Sequence, residues 1–352
     1  MRTLHFAPNT PAALGYRMPA EWELHNATWL SWPRREGISF PDSYDNVMPA
    51  FICMVDALRE SEPVRINVRD AEHEKEVRLI LKEIDSSHVE FFHIPTNEPW
   101  CRDHGPMFIR REREPRLAVV DWDYNAWGGK YPPFDLDEVV PTKIARHFAL
   151  PVYYPKLVME GGSIDLNGTG ALLTTTSCLL NPNRNPTKSK DDIERALRDY
   201  LGATHFLWLG DGIEGDDTDG HIDDITRFVD RSTVLTAIEE DPADENQAPL
   251  QSNRELLEKM TIEDGTPLTV IPLPMPSRVE KEGRRLPASY LNFYIANRVV
   301  LLPIFNSPND RLAIETLEAC FPSRRIVPID CRELVWGLGA FHCLTQQQPA
   351  LL

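Results

Sequence analysis

Ser163-Ile-Asp-Leu-Asn-Gly-Thr-Gly-Ala-Leu-Leu-Thr-Thr175 reads as two short strands turning back on each other at Asn167-Gly168. An Asn-Gly pair supplies the positive-φ backbone that a tight hairpin needs. Residues 190–201 then show apolar positions at helical spacing, and Phe206-Leu-Trp-Leu209 is an apolar run of strand length. The unit is strand, strand, helix, strand, and it recurs on both sides. Upstream, Pro106-Met-Phe-Ile109 and Leu117-Ala-Val-Val-Asp121 predict a hairpin, followed by a helix over 138–148 and the strand Pro151-Val-Tyr-Tyr154. Downstream come Ile225-Thr-Arg-Phe-Val229 with Thr233-Val-Leu-Thr236, a helix over 252–261, and Leu268-Thr-Val-Ile271. A last full unit runs through Leu291-Asn-Phe-Tyr-Ile295, Val299-Val-Leu-Leu302, a helix over 310–320 and Arg325-Ile-Val-Pro328. Recurrence at roughly 50–70 residues marks a repeat architecture.

One strand is left over at the C-terminus, around Cys343. At the other end, Ala27-Thr-Trp-Leu-Ser-Trp32, a helix over 45–61 and Val64-Arg-Ile-Asn-Val68 lack a first strand. Pairing the two ends completes a fifth unit, closes a ring and removes open sheet edges. The predicted fold class is therefore α/β, a five-bladed, pseudo-fivefold α/β propeller of strand-strand-helix-strand repeats, with 1–352 as a single catalytic domain. A helix over 71–84 and a strand over 89–94 do not fit the unit and are read as an insertion. The Pro-rich residues 1–26 are read as a strap lying on the surface.

The chain carries 37 Lys and Arg against 54 Asp and Glu, a formal net charge of −17. That balance disfavours nucleic acid or an anionic membrane as partner and suits a cationic ligand. No stretch is apolar enough for a membrane span, and the N-terminus lacks the apolar core of a signal peptide. The six cysteines are scattered without C-x-x-C pairs, as expected of reduced thiols in the cytoplasm. A homo-oligomer is compatible with all of this.

The segments just before the first strand of each unit hold the chemistry. They are Trp100-Cys-Arg-Asp103, Glu160-Gly-Gly-Ser163, Asp217-Thr-Asp-Gly-His221-Ile-Asp223, Ala288-Ser-Tyr-Leu-Asn292 and Phe341-His-Cys343. In a ring these positions converge on the axis, so Cys343, His221, Asp103, Glu160 and Asp223 are predicted to share one pocket. Cys343 follows the glycines of Gly337-Leu-Gly and reads as part of an extended segment, with Phe341 and Thr345 on its side. Cys and His supply a nucleophile and its proton partner. Three carboxylates would repel an oxyanion, but they grip a planar guanidinium through paired hydrogen bonds. Blander readings stand beside these. Cys343 could be core filler, Asp103 the partner of Arg102, Glu160 turn chemistry, and His221 with Asp223 a surface pair on one strand face. His-x-Asp also occurs in metal sites, yet no second His or Cys lies at ligand spacing. Asn181-Pro-Asn-Arg-Asn-Pro186 reads as a stiff loop.

The chain also resembles the agmatine deiminases and the bacterial-type peptidylarginine deiminases of the guanidine-modifying superfamily. The resemblance lies in Met18-Pro-Ala-Glu-Trp22, Glu98-Pro-Trp-Cys-Arg-Asp-His-Gly-Pro106, Trp127-Gly-Gly-Lys-Tyr131 and Met159-Glu-Gly-Gly-Ser163. It continues through 172–186, 217–223, Ser289-Tyr-Leu-Asn-Phe-Tyr294 and His342-Cys-Leu-Thr-Gln-Gln347. It implies a five-unit α/β propeller and hydrolysis of agmatine to N-carbamoylputrescine and ammonia, a step of polyamine metabolism. It further implies Cys343 as nucleophile, His221 as acid and base, Asp103 and Asp223 on the guanidinium, and Glu160 beside His221. Trp100 is carried over as a substrate-binding residue, Asp217 as one near the substrate's far amine, and no metal or organic cofactor is expected. Three departures stand out: Gly337-Leu-Gly-Ala-Phe-His-Cys343 replaces the usual Gly-Gly-Gly-Asn-Ile-His-Cys, His104 replaces Thr or Ser, and Asp217 replaces Glu. A peptidylarginine deiminase, an amidinotransferase and a non-catalytic guanidine-binding protein remain as alternatives.

Overall fold

The computed structural model describes residues 6–351. Five of its sheets share one plan, an antiparallel pair continued by a parallel pair. Met107–Arg110, Leu117–Val120 and Val152–Tyr153 form one such sheet, and Ile164–Leu166, Ala171–Thr175 and His205–Leu209 the next. Thr226–Phe228, Thr233–Ile238 and Thr269–Pro274 follow, then Tyr294–Ile295, Val299–Ile304 and Arg325–Asp330. The fifth joins the chain ends: Thr345–Pro349 runs antiparallel to His25–Ser31, which lies parallel to Val64–Val68. Parallel neighbours cannot be linked by a tight turn, and each crossover carries a helix: Tyr44–Arg59, Val140–His147, Lys190–Leu201, Gln247–Leu257 and Asp310–Cys320.

Local chemistry accounts for these elements. Lys190–Leu201 starts at a capping box in which Ser189 and Asp192 satisfy each other's backbone N–H, and it stops at Gly202 with φ of 77°. Its Ile193, Leu197 and Leu201 fall on one buried face. The second strands, such as Leu117–Val120 and Ala171–Thr175, are buried at every residue, which is why they read as continuous apolar runs rather than alternations. The 71–94 insertion becomes Ala71–Ile80 and Val89–His93, and the latter adds a fourth strand parallel to Val64–Val68. That helix ends short of 84 because Leu81, its C-cap, is the last buried residue on the face of His73 and Val77.

Two expectations need correction. The N-terminal segment is a surface strap only in part: Ala7, Pro8, Asn9, Ala13 and Gly15 are exposed, whereas Tyr16, Met18, Ala20 and Glu21 are buried, and Tyr16 and Met18 pack into a core cluster with Met107, Ile109 and Leu166. Residues 1–5 of that segment lie outside the described residues. Cys343 is not on a strand either. Phe341–Leu344 is one helical turn, and the strand begins at Thr345. The cause is Asn292, whose Oδ1 accepts from the N–H groups of Ala340 at 3.1 Å, His342 at 3.1 Å and Cys343 at 3.3 Å. Gathering three nearby donors onto one acceptor curls the backbone. The same holds of the other motif-bearing segments: Cys101–His104, Gly161–Ser163 and Ile222–Asp224 are short helical turns, so His221 and Asp223 do not share a strand face.

Candidate active site

These turns deliver their side chains to one place. Cys343 Sγ lies 3.7 Å from Asp223 Oδ2 and accepts from Asn292 Nδ2 at 3.1 Å. His221 Nδ1 stands 3.8 Å from Asp103 Oδ1 and 4.0 Å from Asp223 Oδ1, and its Nε2 stands 4.0 Å from Glu160 Oε2. All five predicted groups therefore meet, and all are buried. Gly162 makes the convergence possible. A Cβ there would fall 2.5 Å from His221 Nδ1, 2.9 Å from Asp103 Oδ1 and 3.1 Å from Asp223 Oδ2. Without one, its N–H donates to Asp103 Oδ1 at 3.0 Å.

The site holds more negative than positive groups, and its protons are distributed accordingly. Burial pushes Asp103 up to about 6, helped by Asp223 and Glu160 and opposed by His221 and the Trp127 indole. Burial also works against charge on His221, but Asp103, Cys178 and Asp223 outweigh it and hold the imidazole well above its ordinary value. Asp223 stays ionised: burial opposes it, while His342 Nδ1 at 2.6 Å, His221 and Arg227 hold it low. Its neighbour Asp224 is pushed well up by burial and by Asp223. The Cys343 thiol is raised well above its ordinary value by burial, then by Asp223, Asp224 and Asp103. A thiolate here requires an incoming positive charge.

A pocket of about 430 Å³ opens above Cys343 and Asp103, walled by Trp100, Trp127, Tyr131 and Trp336. Trp100 is fixed by an indole N–H bond to Ser39 Oγ at 2.8 Å. Asp217 lines the pocket mouth and is held by the Tyr131 hydroxyl. Glu214, by contrast, is exposed and does not line this pocket. The loop Gly337-Leu-Gly passes against Trp100, where a Cβ at Gly339 would lie 2.8 Å from the indole and 3.1 Å from Cys343 Sγ. Leu338 there takes φ of 70°, a left-handed conformation that favours glycine.

Sequence comparison decides the family. The profile of the Porphyromonas-type peptidyl-arginine deiminases matches residues 17–349. The chain belongs to that family. It is 36% identical to the agmatine deiminase of Ectopseudomonas mendocina, over 97% of each chain. Among solved structures, the agmatine deiminase of Enterococcus faecalis superposes with a TM-score of 0.90 at 32% identity, covering 99% of this chain and 100% of the other. A C. jejuni agmatine deiminase variant with substrate bound gives 0.87 at 32% identity, covering 95% and 96%.

Sequence reasoning singled out neither Arg184 nor Glu21, and it offered Asp103 as the partner of Arg102. Arg184, from the loop read as merely stiff, donates to Glu160 Oε1 at 2.6 Å and to Asp219 Oδ2 at 2.6 Å. Arg102 pairs with Glu21 at 3.2 Å and with Gln347 at 2.8 Å, not with Asp103. Glu21, from the N-terminal segment, also meets Arg227 at 3.0 Å, His342 Nε2 at 2.8 Å and the Ile295 N–H at 2.8 Å. The only cue was that Glu21 and His342 fall inside quoted motifs. Glu160, Cys178 and His221 offer ligand atoms within 4.8 Å of one another. A cation there would compete with Arg184 on Glu160 and with the proton that the carboxylates favour on His221.

Proposed function

We propose that this family member is an agmatine deiminase, a hydrolase acting on the C–N bond of a linear amidine. The reading is carried by Cys343 Sγ lying 3.7 Å from Asp223 Oδ2 on the floor of a pocket that also holds Asp103. Relatives named for agmatine deimination support it along nearly the whole chain. Asp103 and Asp223 grip the guanidinium, whose charge lowers the Cys343 thiol so that it gives its proton to solvent and stands as thiolate. Sγ bonds to the guanidinium carbon, the C–N bond breaks, and ammonia leaves with a proton from His221. His221, now neutral, takes a proton from water as its oxygen attacks the thiouronium carbon. The C–S bond breaks, the thiolate returns, and the protonated ureido product releases its extra proton to solvent. The sum is agmatine plus water to N-carbamoylputrescine plus ammonia, with no metal or organic cofactor. Glu160 stands beside the His221 ring, while Trp100 and Asp217 border the substrate chain and its far amine.

The setting proposed with this activity is one catalytic domain in which the five sheets are blades of a pseudo-fivefold propeller around the site. The enzyme works in the cytoplasm, in polyamine metabolism. The test is to supply agmatine, arginine, a peptidyl arginine and arcaine in parallel and to measure ammonia and ureido product. Agmatine should dominate, and preferential turnover of the peptide would instead favour the activity in the family's own description. Cys343→Ala should lose turnover yet still bind agmatine, because the carboxylates remain. Residual turnover above about a hundredth of wild type would move the nucleophile elsewhere. Cys101 is a poor substitute, since it is fully buried and does not line the pocket.

A further inference from the structure

Four consecutive residues take positive φ: Ala126 at 51°, Trp127 at 55°, Gly128 at 89° and Gly129 at 79°. A left-handed turn is unfavourable for any residue with a Cβ, and here two of the four have one. The surroundings hold it in place. Asn125 accepts from the Gly128 N–H at 2.8 Å, and its own amide donates to Asn183 O at 2.9 Å. A Cβ on Gly128 would lie 2.5 Å from the Asn183 side chain. Just beyond, Lys130 pairs with Asp219 at 2.8 Å and Tyr131 bonds Asp217. Persistent backbone strain beside a site points to a geometric requirement.

What the turn delivers is the Trp127 indole, packed edge-on between Tyr124 at 5.7 Å and Tyr131 at 5.8 Å. Its Nε1 donates to Asp103 Oδ2 at 2.9 Å, while Gly162 N–H holds Oδ1 at 3.0 Å. We propose that Trp127 is a positioning residue, and that the left-handed turn is retained so that its indole N–H aims the Asp103 carboxylate at the substrate guanidinium. The proposal rests on the deiminase reading above. Two neutral donors fix the carboxylate's rotamer without competing as counter-charges. From the elements packed around it Asp103 also faces His221, Asp223, Glu160, Cys343 and Tyr124. An N–H given to an ionised carboxylate favours the charged form, so losing it raises the proton affinity of Asp103.

The experiment is the pH profile of kcat/KM for agmatine in wild type and Trp127→Phe. Alongside it, agmatine binding is followed by calorimetry across pH in Cys343→Ala, with and without Trp127→Phe. The expected result is an acid limb moved up by about one to two pH units, with the loss in kcat/KM shrinking as pH rises. The binding curve should move the same way. A loss of equal factor at every pH, or none, would overturn the proposal, because packing alone does not titrate. Gly128→Ala keeps the indole but must displace the turn, and it should reproduce the shifted limb; an unshifted limb in that variant also overturns the role of the turn. If wild type released no ammonia from agmatine while binding still shifted with Trp127→Phe, the deiminase reading would fall and this one would stand.

Discussion

Asp103 and Cys343 are titratable groups whose environments oppose what the proposed chemistry asks of them. A carboxylate must be ionised to hold a guanidinium, and burial puts Asp103 at about 6. The wild-type kcat/KM should therefore fall as pH drops through about 6, with Asp103 protonated below that point. A flat profile from pH 5 to 7 would remove Asp103 from the list of required charges. Asp217 belongs to the other end of the pocket. Burial raises its carboxyl, Tyr131 and Lys130 oppose that, and Asp216 adds to it. If it meets the ammonium of agmatine, Asp217→Asn should raise KM for agmatine about tenfold and change arginine turnover much less. Equal effects on both substrates would show that the side chain recognises neither tail.

At the level of elements, the site is built on single helical turns rather than on strands or long helices. Cys101–His104, Gly161–Ser163, Ile222–Asp224 and Phe341–Leu344 each end at, or one or two residues before, the first strand of a sheet. Turns this short have no stability of their own and depend on side chains from elsewhere in the chain. Asn292 does this for the Cys343 turn, accepting from its backbone while donating to Asp224 Oδ1 at 3.0 Å and to Cys343 Sγ at 3.1 Å. Asn292→Ala should thus lower stability by about 1–3 kcal/mol, from buried donors left unpaired, and cost activity well beyond that. Equilibrium urea unfolding and kcat measured on the folded fraction separate the two effects. A variant with normal kcat would show that the thiol needs no such support. The repeat order of strands and helices was legible from hydrophobic spacing, but these turns were not: Phe341, Cys343 and Thr345 alternate as a strand would, and the bonds to Asn292, remote in sequence, help bend them.

Across the whole molecule, Glu21 ties segments remote in sequence to one another. Its carboxylate meets Arg102, Arg227, His342 and the Ile295 N–H, so residues beside several sheets share one buried charge. Burial works against that charge, but Arg227, His342 and Arg102 hold the carboxyl well below its ordinary range. Its folded-state value lies below the unfolded one. Its contribution is therefore complete above the unfolded carboxyl value, about 4.3, and is lost as pH falls toward the folded value. Glu21→Gln leaves Arg102 without its carboxylate and Arg227 with Asp165 alone, and should cost about 3–5 kcal/mol at pH 7. The gap from wild type should narrow in urea unfolding below about pH 4. A constant gap down to pH 3 would mean that packing, not charge, is what Glu21 contributes.

The amino-acid sequence by itself determined the order of elements, the pairing of the chain ends and the identity of the five groups that meet beneath the pocket. Those depend on local periodicity, on turn residues such as Asn167-Gly168, and on motifs whose residue types leave few chemical options. Only the tertiary structure decided which backbone carries Cys343, what Arg184 pairs with, and that Tyr16, Met18, Ala20 and Glu21 of the N-terminal segment are buried. Glu21 and His342 are 321 residues apart and bond at 2.8 Å, and Arg102 reaches Gln347 across 245 residues. A buried charge takes whichever partners the folded chain places within reach: pairing Thr345–Pro349 with His25–Ser31 brings His342 to Glu21, but which side chains then touch depends on packing and not on residue order.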